Sequence, residues 1–518
     1  MEHRIPKLLL SAATAAAMMV GATACTSAAP EGPSSTKDSI VVVQQADIAS
    51  LSTNIASQRT ASRVAGEINE SATRIAFNGN ESSLEPALAE SWKQIDAHTW
   101  QFKVRPDVKF TNGEKLTAET FKTTLAQHRE NAAGKVTFIM QNVEIQIVDE
   151  MTFNAITEEE NLGSLPVQMT WMSVMPTDYR GSMTEAEFGD NPIGTGPYTL
   201  KAWKKGISVE LQANEDYWRG APKIKSVTIQ TVPDPATRVG MLETGAADVI
   251  TDVTPEMAAR VEAITGTTLK WGASDSRSML VLNTNTPPTD NVKVRQAINY
   301  AVDKKSLADA LFTGHAIPLE GVFVEGELGY DANYKGYKYD QEKARKLLAE
   351  AGYPNGGVPI DLNYTIGTSP QDQKVGEALQ AMLEEVGFTV TMKGGEFATL
   401  QPTWRKPGES SGIYTMSFGP VYPDTSFLFN KAYFHPDAVY GTIWTKTDDE
   451  LTRISDEALT TADAKTRQKL YEKANKRVMD QALWVPMFVF QNGFGMIDSL
   501  DWSPVPDNRF YFENASFK

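Results

Sequence analysis

Apolar and polar positions alternate along the chain in two periods, and together they predict a mixed fold. Ile40 to Gln44 is a β-branched run that predicts a strand at the start of the fold. Trp100, Phe102 and Val104 alternate with polar neighbours, and Asn112-Gly113 then predicts a turn before a helix over Thr117 to Gln127. Val209 to Leu211 and Val227 to Ile229 predict further strands. Val294, Ile298, Ala301, Val302 and Leu307 recur at helical spacing, which predicts one helix over Val292 to Leu311. Asp340 is the expected N-cap of a helix over Gln341 to Ala351, with apolar side Ala344, Leu347, Leu348 and Ala351 and with Gly352 as its stop. Gln373 to Val386 repeats the pattern through Val375, Leu379 and Leu383, ends at Gly387, and passes at once into a strand, Thr389 to Met392. Helix followed by strand, repeated, points to α/β lobes with parallel pairing.

The amino end is of another kind. Arg4 and Lys7 precede an apolar run from Leu8 to Ala24, the order of a signal peptide over residues 1–24. The single cysteine, Cys25, follows Gly21, Ala22, Thr23 and Ala24, the small-residue approach of a bacterial lipoprotein signal peptidase, although Ala22 stands where Leu is usual. Cys25 is therefore the expected lipidation site, and it holds the mature chain to a membrane. Residues 25–38, rich in Ser, Thr, Ala, Pro and Gly, read as the tether. With one cysteine no internal disulfide forms, so stability rests on the core.

At 518 residues the chain exceeds what one hydrophobic core serves, and two or more lobes are expected. A formal charge of -16 argues against nucleic acid as a partner. The histidines His3, His98, His128, His315 and His435 have no metal-ligand spacing, so neither a metal site nor a cofactor is expected. Gly408-Glu409-Ser410-Ser411-Gly412 fits the Gly-x-Ser-x-Gly nucleophile elbow, but that elbow needs a strand before it and a helix after it. Here Lys406-Pro407 precedes and a strand-like Ile413-Tyr414-Thr415-Met416 follows, which favours a loop. A secreted serine hydrolase rests on this string alone. No catalytic residue is assigned.

Several strings occur in an order that resembles the extracellular solute-binding proteins of the peptide and nickel ABC importers. These are Leu84-Glu85-Pro86-Ala87-Leu88-Ala89-Glu90-Ser91-Trp92, the Phe102, Arg105, Val108, Phe110, Gly113 series, Gly194-Thr195-Gly196-Pro197-Tyr198, and Asn214-Glu215-Asp216-Tyr217-Trp218. Asp234 to Arg238, Leu242 to Asp248, Asn283 to Asp303 and Asp340 to Pro354 continue the series. The resemblance implies an α/β, two-lobed periplasmic-binding-protein-like fold with an extra subdomain in the first lobe and a two-segment hinge. By analogy, lobe I takes residues 39–282 and 489–518, with the subdomain at about 80–190, and lobe II takes 283–488. It implies a monomeric protein that makes no bond: it captures a peptide or related small ligand and delivers it to a membrane permease driven by an ATPase, outside the cytoplasm. A binder of a metal chelate, nickel or an opine-type metallophore, is the alternative, and a lipoprotein sensor or assembly partner is a third reading.

For ligand contacts the resemblance points to Ser417 to Asp424, where relatives set an aromatic residue, a tyrosine and an aspartate against the ligand. Tyr422 leads, followed by Phe418 and Asp424. The peptide-gripping aspartate of relatives falls nearest Pro420 or Val421 here, with Asp424 later. The segment where nickel-chelate relatives carry an arginine reads Gln168-Met169-Thr170-Trp171-Met172-Ser173 and has none. Trp171 and Met172 are then either an apolar wall for the ligand or core. Arg59 and Arg63, after the first strand, are either carboxylate partners or solvated helix-face residues. Gly196, Pro197 and Trp218 are read as structural.

Overall fold

The computed structural model describes residues 37–54, 59–79, 81–131, 134–158, 160, 163–181, 183–366, 371–396, 399–400, 404, 412–419, 424–426, 428–429, 433–436, 446, 448–507 and 509–518, with backbone only for Arg59, Lys135, Phe138 and residues 273–276. The expected signal peptide, Cys25 and the tether up to residue 36 lie outside the described residues.

The chain opens with β1 (Ser39–Gln44), whose Val42 and Val43 are buried on opposite faces, as β-branched residues are in a covered parallel sheet. The helix Arg59–Ile68 returns along one face. An insertion follows: the hairpin β2 (Thr73–Asn78) and β3 (Glu81–Pro86), then β4 (Ala89–Gln94), β5 (Thr99–Val104), β6 (Val143–Asp149) and β7 (Thr152–Thr157). Strands β4 to β7 form a four-stranded antiparallel sheet in the order β4-β5-β7-β6, and Phe102, Phe121 and Phe153 stack inside its own core. The helix expected over Thr117 to Gln127 is Ala118–Arg129, with Thr117 at its N-cap position.

Strands β8 (Tyr198–Lys204), β9 (Ser208–Ala213), β10 (Ser226–Thr231) and β11 (Val249–Val253) rejoin β1, which pairs in parallel with β10 on one side and β11 on the other. The long strand β12 (Thr267–Leu282) then leaves this half. Beyond it come β13 (Ala316–Pro318), β14 (Val358–Ile366), β15 (Phe388–Glu396) and β16 (Ile413–Phe418), and β17 (Trp484–Ile497) brings the chain back. One sheet runs through both halves in the order β15-β14-β16-β12-β17-β11-β1-β10-β9-β8, with β13 on β17.

The helix expected over Val292 to Leu311 is two, Val292–Ala301 and Lys304–Phe312. Val302 is extended, and the Asp303 carboxylate accepts the Ser306 N–H at 3.0 Å, starting a second helix inside an unbroken apolar periodicity. Asp340 caps the Lys343 N–H at 2.9 Å as expected, and Gly352 and Gly387 end their helices with φ of 101° and 114°.

Glu70, just past the first helix, gathers two of the sequence strings. Its carboxylate accepts from Thr195 Oγ1 at 2.8 Å, Tyr217 Oη at 2.9 Å and Trp218 Nε1 at 2.8 Å. Gly196 permits this approach, because a Cβ there would lie 2.6 Å from the carbonyl oxygens of Glu67 and Ile68. Burial pushes the Glu70 carboxyl above its ordinary range, against the pull of its three donors. Glu67 and Glu513 are raised as well, each first by burial and Glu67 also by the charge of Glu513.

Glu70→Leu leaves three buried donors without an acceptor, at about 1–3 kcal/mol each. We expect it to lower unfolding stability by at least about 3 kcal/mol in a denaturant titration, and Glu70→Gln to cost less. A carboxyl whose folded-state pKa lies above the unfolded value of 4.5 binds its proton more tightly in the native chain. Its contribution therefore falls as pH rises through that interval. The denaturation midpoint should be higher at mildly acidic than at neutral pH, and Glu67→Gln should flatten this dependence.

Candidate functional site

Two cores meet along a seam between the insertion and the second half of the sheet. Trp171, half-buried, packs against both: the insertion core with Met169 and Met172, and the second-half core with Tyr414, Tyr471 and Trp484. Ile75 and Phe77 of β2 also lean on that second core. The Ser82 hydroxyl of β3 donates to the Gly326 carbonyl at 2.6 Å. Gly163 lies against the Arg467 guanidinium, where a Cβ would sit 2.3 Å from Nη1. The seam therefore joins sequence-distant segments through apolar area and a few polar contacts, the composition of a ligand cleft.

On the second-half wall, Phe418 ends β16 opposite Arg277 of β12. Its ring lies 4.8 Å beneath the Arg277 guanidinium and packs on Tyr433 at 5.4 Å and Trp484 at 5.5 Å. Arg277 is fully buried: Nη1 donates to the Val322 carbonyl at 2.8 Å and to Glu327 Oε2 at 2.5 Å, while Nε and Nη2 have no partner among the described residues. Sequence reasoning passed over Arg277. Its signal was a charge entering the apolar run Met279-Leu280-Val281-Leu282, a place where arginine is costly without a paired role.

Asp424 lies on this side, buried and ion-paired with Arg467 of the helix Ala464–Asp480, and its Oδ1 accepts the Ser426 N–H at 2.8 Å. Burial opposes the charge on Arg467, but Asp424 and Tyr471 together outweigh it and raise the guanidinium pKa. The carboxylate expected to meet a ligand ammonium is thus held by an arginine of its own chain.

The remaining expected residues are placed as follows. Met172 is fully buried in the insertion core, which answers the choice between wall and core in favour of core. Arg63 is not a solvated helix-face residue: it is 1% exposed, donates to Asp252 Oδ2 at 3.2 Å and Thr251 Oγ1 at 3.1 Å, and lies 5.6 Å from the rings of Phe494 and Phe510. These contacts commit it to β11 and to the rings of Phe494 and Phe510. Arg59 begins the first helix, with its side chain outside the described residues. Tyr422 lies outside them too, as does the Gly408-to-Gly412 string except Gly412, which opens directly into β16.

Among the described residues no group of three or more His, Cys, Asp or Glu side chains is arranged to hold a metal ion. His128 is bonded to Glu185 at 3.2 Å, and His315 stacks on Trp271 with ring centroids 3.5 Å apart. Among the same residues no helix is long and apolar enough to cross a membrane.

Comparison with known proteins accounts for this arrangement. Residues 83–439 match the sequence profile of bacterial extracellular solute-binding proteins, family 5 Middle. The glutathione-binding protein GsiB of Escherichia coli K12 is 28% identical over 462 residues, covering 85% of this chain and 87% of GsiB. HbpA2 from Haemophilus parasuis superposes with a TM-score of 0.81 at 23% identity, over 93% of this chain and 100% of its own. NikZ from Campylobacter jejuni, solved in complex with Ni(L-His), gives 0.76 at 19% identity, over 93% and 99%. The fold is that of the two-lobed periplasmic binding proteins, whose business is transport and not catalysis. The chain belongs to the family 5 bacterial extracellular solute-binding proteins.

Proposed function

We propose that this protein is the lipid-anchored solute-binding component of an ABC importer, taking a peptide or a related small carboxylate ligand into the seam between its lobes. Trp171 carries the reading: one half-buried aromatic shared by the insertion core and the second-half core is what a ligand would displace or stack upon when the lobes part. Lobe I is residues 39–282 with 489–518, including the insertion, and lobe II is 283–488. The cores support the division away from its boundaries, since Val42, Val227, Phe494 and Phe512 share one cluster, while Ile298, Leu362 and Phe488 share another, which the end of β12 joins through Leu280 and Leu282.

Arg277 supports a carboxylate-bearing ligand, because Nε and Nη2 form the free side of a planar fork. A peptide C-terminus, glutathione, and a carboxylate chelator of the kind a nickel binder takes all satisfy it. The Asp424–Arg467 pair argues for a grip on the ligand that does not depend on Asp424 capturing an amino terminus. In cells, a diacylglycerol on Cys25 would keep the monomeric protein at the outer face of the membrane, where the closed form docks on the permease.

Native mass spectrometry of protein lacking residues 1–25, purified from rich medium, should show a bound small molecule, and denaturation should release a peptide. Release of a metal-bearing chelator instead selects the alternative ligand class. An empty protein that no peptide or chelate stabilises would contradict the reading. With the ligand in hand, Trp171→Ala should weaken binding about 10–30-fold, or about 1.4–2 kcal/mol, measured at a temperature where the variant remains folded.

A further inference from the structure

The segment between β13 and the helix Gln341–Glu350 lines a cavity of about 160 Å³, to which Asn475 and Val489 also contribute. Its floor is apolar: Phe323, Val324, Leu319 and Val489 are all buried. Its walls carry the phenols of Tyr330 and Tyr334, whose hydroxyls make no hydrogen bond to a described residue. Three carboxylates, Glu320, Glu325 and Asp331, line the same space, and among the described residues neither lysine nor arginine does. The nearby Lys304 turns its ammonium to the Leu319 carbonyl.

The carboxylates impose a negative field on the cavity. The Tyr334 phenol is pushed up to about 12, by burial first and then by Asp480 and Glu320. Burial and then Glu325 and Asp331 raise the Tyr330 phenol. Asn475 gives an independent sign of a ligand. It is 4% exposed and lines the cavity, its Oδ1 accepts the Val322 N–H at 2.9 Å, and its Nδ2 has no partner among the described residues. Gly321 lies close against that amide, where a Cβ would be 2.7 Å from Nδ2, so the chain keeps a glycine beside it.

Aromatic faces and carboxylates around an apolar floor match one chemistry: a cation with a greasy surface, whose charge the rings and acids attract and whose alkyl groups the floor accepts. A cavity of this size accommodates a ligand of about benzene's bulk. We propose that this cavity is a binding site for a small organic ammonium ion, with Tyr330, Tyr334 and Asp331 facing the charge and Asn475 Nδ2 meeting an acceptor oxygen where the ligand carries one. The site is separate from the seam, although Ser82 of the insertion bonds Gly326 in the same segment, so an occupied cavity would stiffen the loop that lobe I touches.

The test is isothermal titration of the full chain in detergent with tetramethylammonium chloride, against tert-butanol as the uncharged counterpart of similar size. We expect saturable one-to-one binding of the cation and none of the alcohol, at least a tenfold loss of affinity in Asp331→Asn and in Glu325→Gln, and no binding in Ala332→Trp, which fills the mouth. Should Ala332→Trp melt early, the two charge-removing variants decide, since Glu325 is exposed and its change spares the core. Absence of saturable cation binding, equal binding of cation and alcohol, or wild-type affinity in both charge-removing variants would each overturn the proposal. Binding of the seam ligand, measured on the same samples, separates this failure from a failure of the transport reading.

Discussion

The pairing of β12 with β17 is the constraint on which the rest of the molecule depends. The two strands run antiparallel from Thr267 opposite Ile497 to Val281 opposite Trp484. Their outer ends are buried in different cores: Phe494 and Met496 in the first, Met279 to Leu282 and Trp484 to Phe490 in the second. Between those ends the register shifts, from Ala273 to Arg277 and again from Ser278 to Met279. Such a shift bends a ladder and concentrates its twist. We propose that these two backbone crossings, with their local irregularity, serve as the hinge for closure of the two halves.

The sequence strings that carry the resemblance turn out to be parts of one physical device. Thr195 comes from one string and Tyr217 and Trp218 from another, and all three end on a single carboxylate, Glu70, at the junction of the first helix and the insertion. Buried carboxylates are tolerated when several donors converge on them, and this convergence fixes how the insertion leaves the first lobe. Glycines in these strings serve close approach and not ligand contact, as Gly196 shows.

Local structure was legible where one residue type decides it. Asp340 before a helix and Gly387 after one act through their own side chain or backbone, and both were readable. The break at Val302 was not, because the apolar period continues across it and only the Asp303 cap reveals it. Site residues were legible as segments and not as roles. Trp171 and Phe418 reach the seam, yet Asp424 finds Arg467 43 positions away and Arg63 finds Asp252 189 positions away. Such pairings depend on the tertiary fold, which periodicity and caps do not encode. Arg277 escaped for the same reason: a charge within an apolar strand has no meaning until its neighbours Phe418 and Glu327 are known.

The central claim is that ligand draws together two bodies joined by β12 and β17. Because Cys25 is the chain's single cysteine, a protein lacking residues 1–25 accepts paired spin labels at exposed Ile207 in the first half and exposed Ile366 in the second. Pulsed electron resonance between those labels, without and with the co-purified ligand, measures the motion directly. The account predicts a broad distribution that shortens and narrows on ligand addition; a distribution unchanged while the ligand is bound would contradict it.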